Sequence, residues 1–104
     1  MYIYSVTINI EKNVEKEWLD WMCNTHIPAV LKTKKFSKAL MSQVMIEEEM
    51  GGVTYSVQYT TDSLETLHAY QQEDAPSLQQ ETERKFAGKY VAFRTELQVI
   101  QEFI

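Results

Sequence analysis

The feature that most constrains this chain is a set of short motifs that occurs twice in the same order. Tyr4-Ser5-Val6 returns as Tyr55-Ser56-Val57, His26-Ile27-Pro28 as Asp74-Ala75-Pro76, and Lys35-Phe36 as Lys85-Phe86. Each match is short, but three in one order describe a unit that is repeated. Periodicity says what the unit is. Tyr2, Tyr4, Val6, Ile8 and Ile10 alternate with Ser5, Thr7 and Asn9, the period of a half-buried strand. Val14, Trp18, Trp21, Met22 and Thr25 then recur at helical spacing, an apolar stripe that has to pack on a sheet. Asn13 is a candidate N-cap for that helix. Pro28 cannot donate into it and disfavours helical geometry at Ile27, which predicts a break near His26 and a short further turn over 28–33.

Beyond this helix, Phe36 to Met50 reads as a long strand with apolar side chains on both parities: Phe36, Leu40, Val44 and Ile46 against Ala39, Met41 and Met45. A strand covered on one face does not need this, so it predicts burial on both sides. Gly51-Gly52 is a hairpin signal, with the acidic Glu47-Glu48-Glu49 run at its tip. Val53 to Thr61 alternates again. Asp62 to Glu65 has the spacing of a capping box, Leu64, Leu67 and Tyr70 carry a second helix, and Asp74 can cap a further segment ending at Gly88. Tyr90 to Gln101 is the last strand, with Val91, Phe93, Leu97 and Val99 on one parity and Arg94, Glu96 and Gln98 on the other. The order is strand, helix, strand, strand, helix, strand. A doubled unit of this kind is the split βαβ arrangement of a ferredoxin-like α+β fold, and right-handed crossovers give sheet order 4-1-3-2 with both helices on one face.

At 104 residues the chain has the length of a single domain, 1–104. A net charge of -5 argues against a nucleic-acid partner, which needs a basic footprint. The basic clusters Lys32/Lys34/Lys35/Lys38 and Arg84/Lys85/Lys89 fall where helices end and complement the helix dipole. With Cys23 as the single cysteine no internal disulfide can form, and a reducing compartment is expected. The N-terminal residues enter a strand pattern directly and no apolar run reaches membrane-spanning length, so the expected location is the cytoplasm, without membrane contact.

Two helices on one side leave the other sheet face open. If the tyrosine and valine parity faces the helices, the open face carries Ser5, Thr7, Asn9, Ser56, Gln58, Arg94, Glu96 and Gln98, with Ile3 and Ile100 among them. This mixture fits a sheet packed on a copy of itself around a polar-lined cavity. The two-sided second strand and the apolar end of Glu102-Phe103-Ile104 favour such a closed homodimer.

Several stretches also carry a resemblance: Met1-Tyr2-Ile3-Tyr4 with Val6-Thr7, Trp18-Leu19 with Trp21-Met22, His26-Ile27-Pro28, Glu47-Glu48-Glu49-Met50-Gly51-Gly52, Asp74-Ala75-Pro76, and Val91-Ala92-Phe93-Arg94-Thr95-Glu96-Leu97. Over nearly its whole length the chain resembles a family of small bacterial proteins known as domain of unknown function 4286, which has no established activity. More distantly the topology is similar to the dimeric α/β-barrel superfamily. That group includes cofactor-free monooxygenases, ethyl-tert-butyl-ether-degradation-like proteins, muconolactone isomerases and haem-handling enzymes. A likeness of fold does not transfer a reaction.

Among single residues, His26 is the candidate for proton transfer, since an imidazole titrates near neutrality. The alternative is a structural histidine bonding backbone groups freed at the helix break. Trp18 and Trp21, about one turn apart, serve as core or as stacking surfaces for a flat ligand. Arg94 and Glu96 share a strand face and either pair with each other or act on a ligand, Arg94 on an anionic or carbonyl group and Glu96 as a proton acceptor. With Asn9 and Gln58 they are the expected ligand-orienting set. No metal-ligand cluster and no cofactor motif is present, and Cys23 lacks a neighbour to activate it. The expected role is binding of a small organic molecule inside the barrel, with cofactor-free oxidation or isomerisation as its chemistry. The alternative is a non-catalytic ligand-sensing or assembly module.

Overall fold

A computed structural model describes residues 1–46 and 51–104. Strands β1 (Tyr2–Ile10), β2 (Lys38–Gln43), β3 (Val53–Thr61) and β4 (Tyr90–Gln98) form one sheet in the order β2-β3-β1-β4. Between them run α1 (Glu15–Trp21) and α2 (Ile27–Lys32) in the first half, and α3 (Leu64–Glu73) and α4 (Ala75–Phe86) in the second. All three neighbouring strand pairs are antiparallel. This is the ferredoxin-like α+β fold expected from the doubled pattern, in the expected strand order.

The core lies between sheet and helices. Tyr4, Ile8 and Ile10 of β1 and Tyr55, Val57 and Tyr59 of β3 meet Trp18, Met22 and Val30 from the first helical segment and Leu67, Tyr70 and Phe86 from the second. Trp18 and Phe86 are each 1% exposed, which makes them the largest side chains fully withdrawn from water. Both motif phenylalanines are core residues: Phe36 packs on Tyr4, Tyr59 and Tyr70, and Phe86 meets the edge of Trp21 at 5.4 Å.

The expected break at His26 is replaced by a change of helical register. Residues Met22–His26 form a π-helical turn that joins α1 to α2 with no departure from right-handed helical angles, Ile27 included. The Ile27 N–H donates to the Met22 carbonyl, five residues back. Widening the turn here spares Pro28 the clash of its ring with the carbonyl four residues back, and its missing N–H falls at the start of α2, where no donor is needed. The caps differ as well. A short 3-10 turn over Lys12–Val14 precedes α1, and Asn13 makes no capping bond. Ser63, one residue after Asp62, caps α3 by accepting from the Thr66 N–H at 3.1 Å. Asp74 stands at the cap of α4 but turns its carboxylate to Lys35, 2.9 Å away.

Strand β2 is shorter than the alternation implied, although the Val44 N–H still donates to the Thr54 carbonyl at 2.8 Å. The acidic run expected at the hairpin tip falls at 47–50, outside the described residues. Gly52 has φ +82, and a Cβ there would come within 3.0 Å of the Ile10 carbonyl, so the return into β3 needs a glycine.

Candidate functional site

Strand register decides which side chains meet the helices, and on β4 it reverses the expected face. Val6 lies opposite Arg94, Tyr4 opposite Glu96 and Ile8 opposite Ala92. Residues directly opposite in an antiparallel pair point to the same side. Arg94, Glu96 and Gln98 therefore share the helix face with Tyr4 and Val6. Asn9 and Gln58 are on the other face, where Asn9 donates to the Thr54 hydroxyl at 3.2 Å. The expected set of four is thus split in two by the sheet. The other side of β4 is apolar: Val91 is 59% and Phe93 68% exposed, with Leu97 beside them in register, and Leu40 of β2 stands on the same face.

What the helix face builds is a narrow, closely packed cleft. Its floor is sheet: Tyr4, Val6, Ile8, Val57, Tyr59, Ala92 and Arg94. Trp18, Met22 and His26 wall it from the first helical segment, and Tyr70, Leu78, Gln79 and Thr82 from the second. His26 closes the π-helical turn four residues after Met22, and both side chains line the cleft. The imidazole then lies against the Trp21 ring, centroids 5.0 Å apart and planes 27° from parallel.

Burial gives this histidine its chemistry. Loss of hydration, reinforced by the Arg94 charge, lowers its pKa from 6.5 to about 4, so at neutral pH the ring is uncharged and has a nitrogen free to accept. The phenols around it move the other way. Burial raises Tyr59 and Tyr70 well above the ordinary phenol value; it also raises Tyr4, which the neighbouring Arg94 pulls partly back. All three are therefore hydrogen-bond donors rather than phenolates. Arg94 and Gln79 lie within reach of the Tyr4 hydroxyl.

A second cleft, about 460 Å³ to its mouth, adjoins the first and shares Tyr4, Gln79 and Arg94 with it. Gln71, Ala75, Pro76 and Glu96 complete it. Glu96 accepts from the Gln71 amide at 2.8 Å and is not paired with Arg94, the two being next-but-one on a strand. Of the residues singled out from sequence, His26 and Arg94 come together in the inner cleft, Glu96 stands at its rim, and Trp18 is both core and wall. Sequence reasoning missed Tyr4, Tyr70, Gln79 and Tyr90. The signal for Tyr4 was present: phenols on the otherwise apolar parity of a strand are hydroxyls directed at a core, where a dry site would have taken phenylalanine. Among the described residues no group of three His, Cys, Asp or Glu side chains is placed to hold a metal.

The family model described as domain of unknown function (DUF4286) matches residues 1–100. The chain belongs to that family. No curated protein matches the sequence. Solved structures match over the whole fold. A dimeric ferredoxin-like protein from an uncultured marine organism is 19% identical with a TM-score of 0.73, covering 100% of this chain and 99% of that one. SnoaB, a cofactor-independent oxygenase from Streptomyces nogalater, is 8% identical with a TM-score of 0.66, covering 97% and 95%. An ethyl tert-butyl ether D (EthD) family protein from Bacillus halodurans is 17% identical with a TM-score of 0.65, covering 96% and 100%. At these identities the likeness of the DUF4286 chain is one of fold. Among the described residues no helix is long and apolar enough to cross a membrane.

Proposed function

We propose that this protein is a homodimer that binds a small organic molecule in the cleft between its sheet and helices, where His26 takes a proton from the bound molecule. One observation carries the reading: uncharged His26 and the Arg94 guanidinium converge on one aromatic-walled cleft. Removing a proton from carbon is the step shared by isomerisation and by oxidation without a cofactor. In this site His26 accepts the proton, and Arg94, Gln79 and the Tyr4 hydroxyl stabilise the negative oxygen that forms. The charge on that oxygen offsets the Arg94 field, the smaller contribution beside burial to the lowered His26 pKa, so His26 gains some basicity as the oxygen charges. The solved structures described as a cofactor-independent oxygenase and as an EthD family protein share this fold and support the chemistry by analogy only.

Dimerisation explains the reversed face of β4. Val91, Phe93, Leu97 and Leu40 lie on a sheet face that no helix covers, and a second sheet packed there removes them from water. Asn9, Gln58 and their polar neighbours then line the space between two sheets instead of the ligand cleft. The related fold described as dimeric supports the same arrangement. Light scattering at micromolar concentration should give a dimer, and Phe93→Lys should shift it to monomer; a wild-type monomer would overturn this part of the reading.

The function itself is tested by mass spectrometry of the purified protein for a retained small molecule, followed by incubation of that molecule with enzyme in D2O. Deuterium incorporated at a carbon position by the native protein, and lost in His26→Ala, is the expected result. Retention without exchange in either protein would leave a ligand-sensing module.

A further inference from the structure

The two clefts share Arg94, an exposed side chain with Glu96 beside it on the outer side. Among the described residues that line the inner cleft, Arg94 alone carries a formal charge at neutral pH, because His26 is uncharged there. Ion pairs among the described residues are made by Lys35 with Asp74 at 2.9 Å, Arg84 with Glu81 at 2.9 Å and Lys89 with Glu11 at 3.8 Å. Among the described residues no carboxylate lies at ion-pair distance from Arg94. Glu96, the nearest in sequence, belongs to the outer cleft and is engaged by Gln71 at 2.8 Å. A guanidinium has five N–H donors in a planar fork; the Tyr4 hydroxyl can take only part of them, and at this exposed position the others face solvent, where a ligand can replace water.

We propose that the cleft selects a flat monoanion, with its carboxylate, phenolate or enolate oxygen seated on Arg94 where the two clefts join. The apolar body of the ligand lies along the mouth of the clefts over Ala75 and Pro76, where the open space is, and Gln79 supplies a further amide donor to the anionic end. This rests on the reading that the helix-side cleft is the ligand site. It goes further in naming the charge of the ligand and the group that reads it. A neutral ligand would gain no charge-assisted hydrogen bond from the guanidinium, and a cation would be repelled by it. The tyrosines cannot supply the missing charge, since burial keeps their protons on.

The test compares 2-naphthoate with its uncharged counterpart 2-naphthamide, by calorimetry and by saturation-transfer NMR. The wild-type protein should bind the naphthoate about 10-fold or more tighter than the amide, the range expected for charge-assisted hydrogen bonds. Arg94→Gln should abolish this preference by weakening the naphthoate alone, and Arg94→Lys should recover part of it. Arg84→Gln, which removes an exposed cation elsewhere, should change neither affinity. Equal affinity for the two probes, with perturbation of Trp18 and Tyr4 resonances, would overturn the anion selectivity and leave the cleft as the ligand site. Failure of both probes to bind at millimolar concentration would overturn both readings. Unchanged naphthoate binding in Arg94→Gln would also sink the inference.

Discussion

The two halves of this molecule repeat one another in sequence, and at matched positions they resolve the same chemistry in opposite ways. Tyr55 donates its hydroxyl to Glu15, so the phenol of the second half is satisfied inside the protein. Tyr4, its counterpart, turns its phenol into the cleft beside Arg94 and Gln79. Asp74 is held by Lys35 at 2.9 Å, a contact that ties the second half to the first. His26, at the position matching Asp74, has no charged partner of opposite sign and rests on Trp21 at the cleft wall. One member of each pair is spent on structure while the other is left for a ligand. The difference lies in the helices. The second half restarts a helix after Asp74, with Pro76 near its start, whereas the first passes through a π turn that ends at His26.

Predictions that would break this contrast begin with the positions where the halves agree. Phe36 and Phe86 are both buried, so Phe36→Ala and Phe86→Ala should each cost about 3–5 kcal/mol in denaturant unfolding. If either cost less than 1 kcal/mol, the halves would not share one core. The next effect belongs to His26 alone. Its folded pKa is about 4 against 6.5 ordinarily, so between those values the unfolded chain binds more protons. Stability is fully present above about pH 6.5 and declines as the pH falls towards 4, by up to about 3 kcal/mol, and His26→Leu should remove this part of the slope. An unaltered slope in the variant would place the imidazole in water.

A smaller effect separates the tyrosines. Tyr55→Phe leaves the Glu15 carboxylate without its donor and should lose about 1 kcal/mol of stability. Tyr4→Phe should leave stability nearly unchanged but weaken 2-naphthoate binding. The reverse pattern would exchange their roles. The smallest change is expected at Thr61, whose hydroxyl is buried and finds no partner among the described residues. Thr61→Val should be neutral or raise stability by up to about 1 kcal/mol, read from the thermal midpoint.

Much of the fold was legible because its signals are local. Alternation over Tyr2–Ile10 and Val53–Thr61, the stripe through Trp18 and Met22, and the order of elements led to the ferredoxin-like sheet without any distant contact. Helix ends were legible only in outline. A proline predicts that ordinary helical bonding cannot continue, but a break and a π turn satisfy that constraint equally well. The cap of α3 slipped by one residue because Asp62 and Ser63 both accept well from an N–H, and only backbone direction chose Ser63.

The candidate site was legible residue by residue but not as a place. His26 and Arg94 were named from their chemistry, and they do meet. Asn9 and Gln58 lie on the open face to which all four were assigned, while Arg94 and Glu96 turn to the helix face with Val6 and Tyr4. The error came from taking the more apolar parity of β4 as the one that meets the helices. That rule holds when the opposite face is solvated. It fails here because Val91, Phe93 and Leu97 are on a face open within the protomer, and the helix side needs Arg94 at its cleft.

By itself the sequence determined the element order, the sheet order, the doubled unit and the chemical identities of His26 and Arg94, since periodicity and side-chain chemistry act over a few residues. Only the tertiary structure decided that Arg94 lies opposite Val6, and that His26 lines a cleft with it. Register is set by partners far along the chain, and a shift of one residue turns every side chain of a strand to the other face.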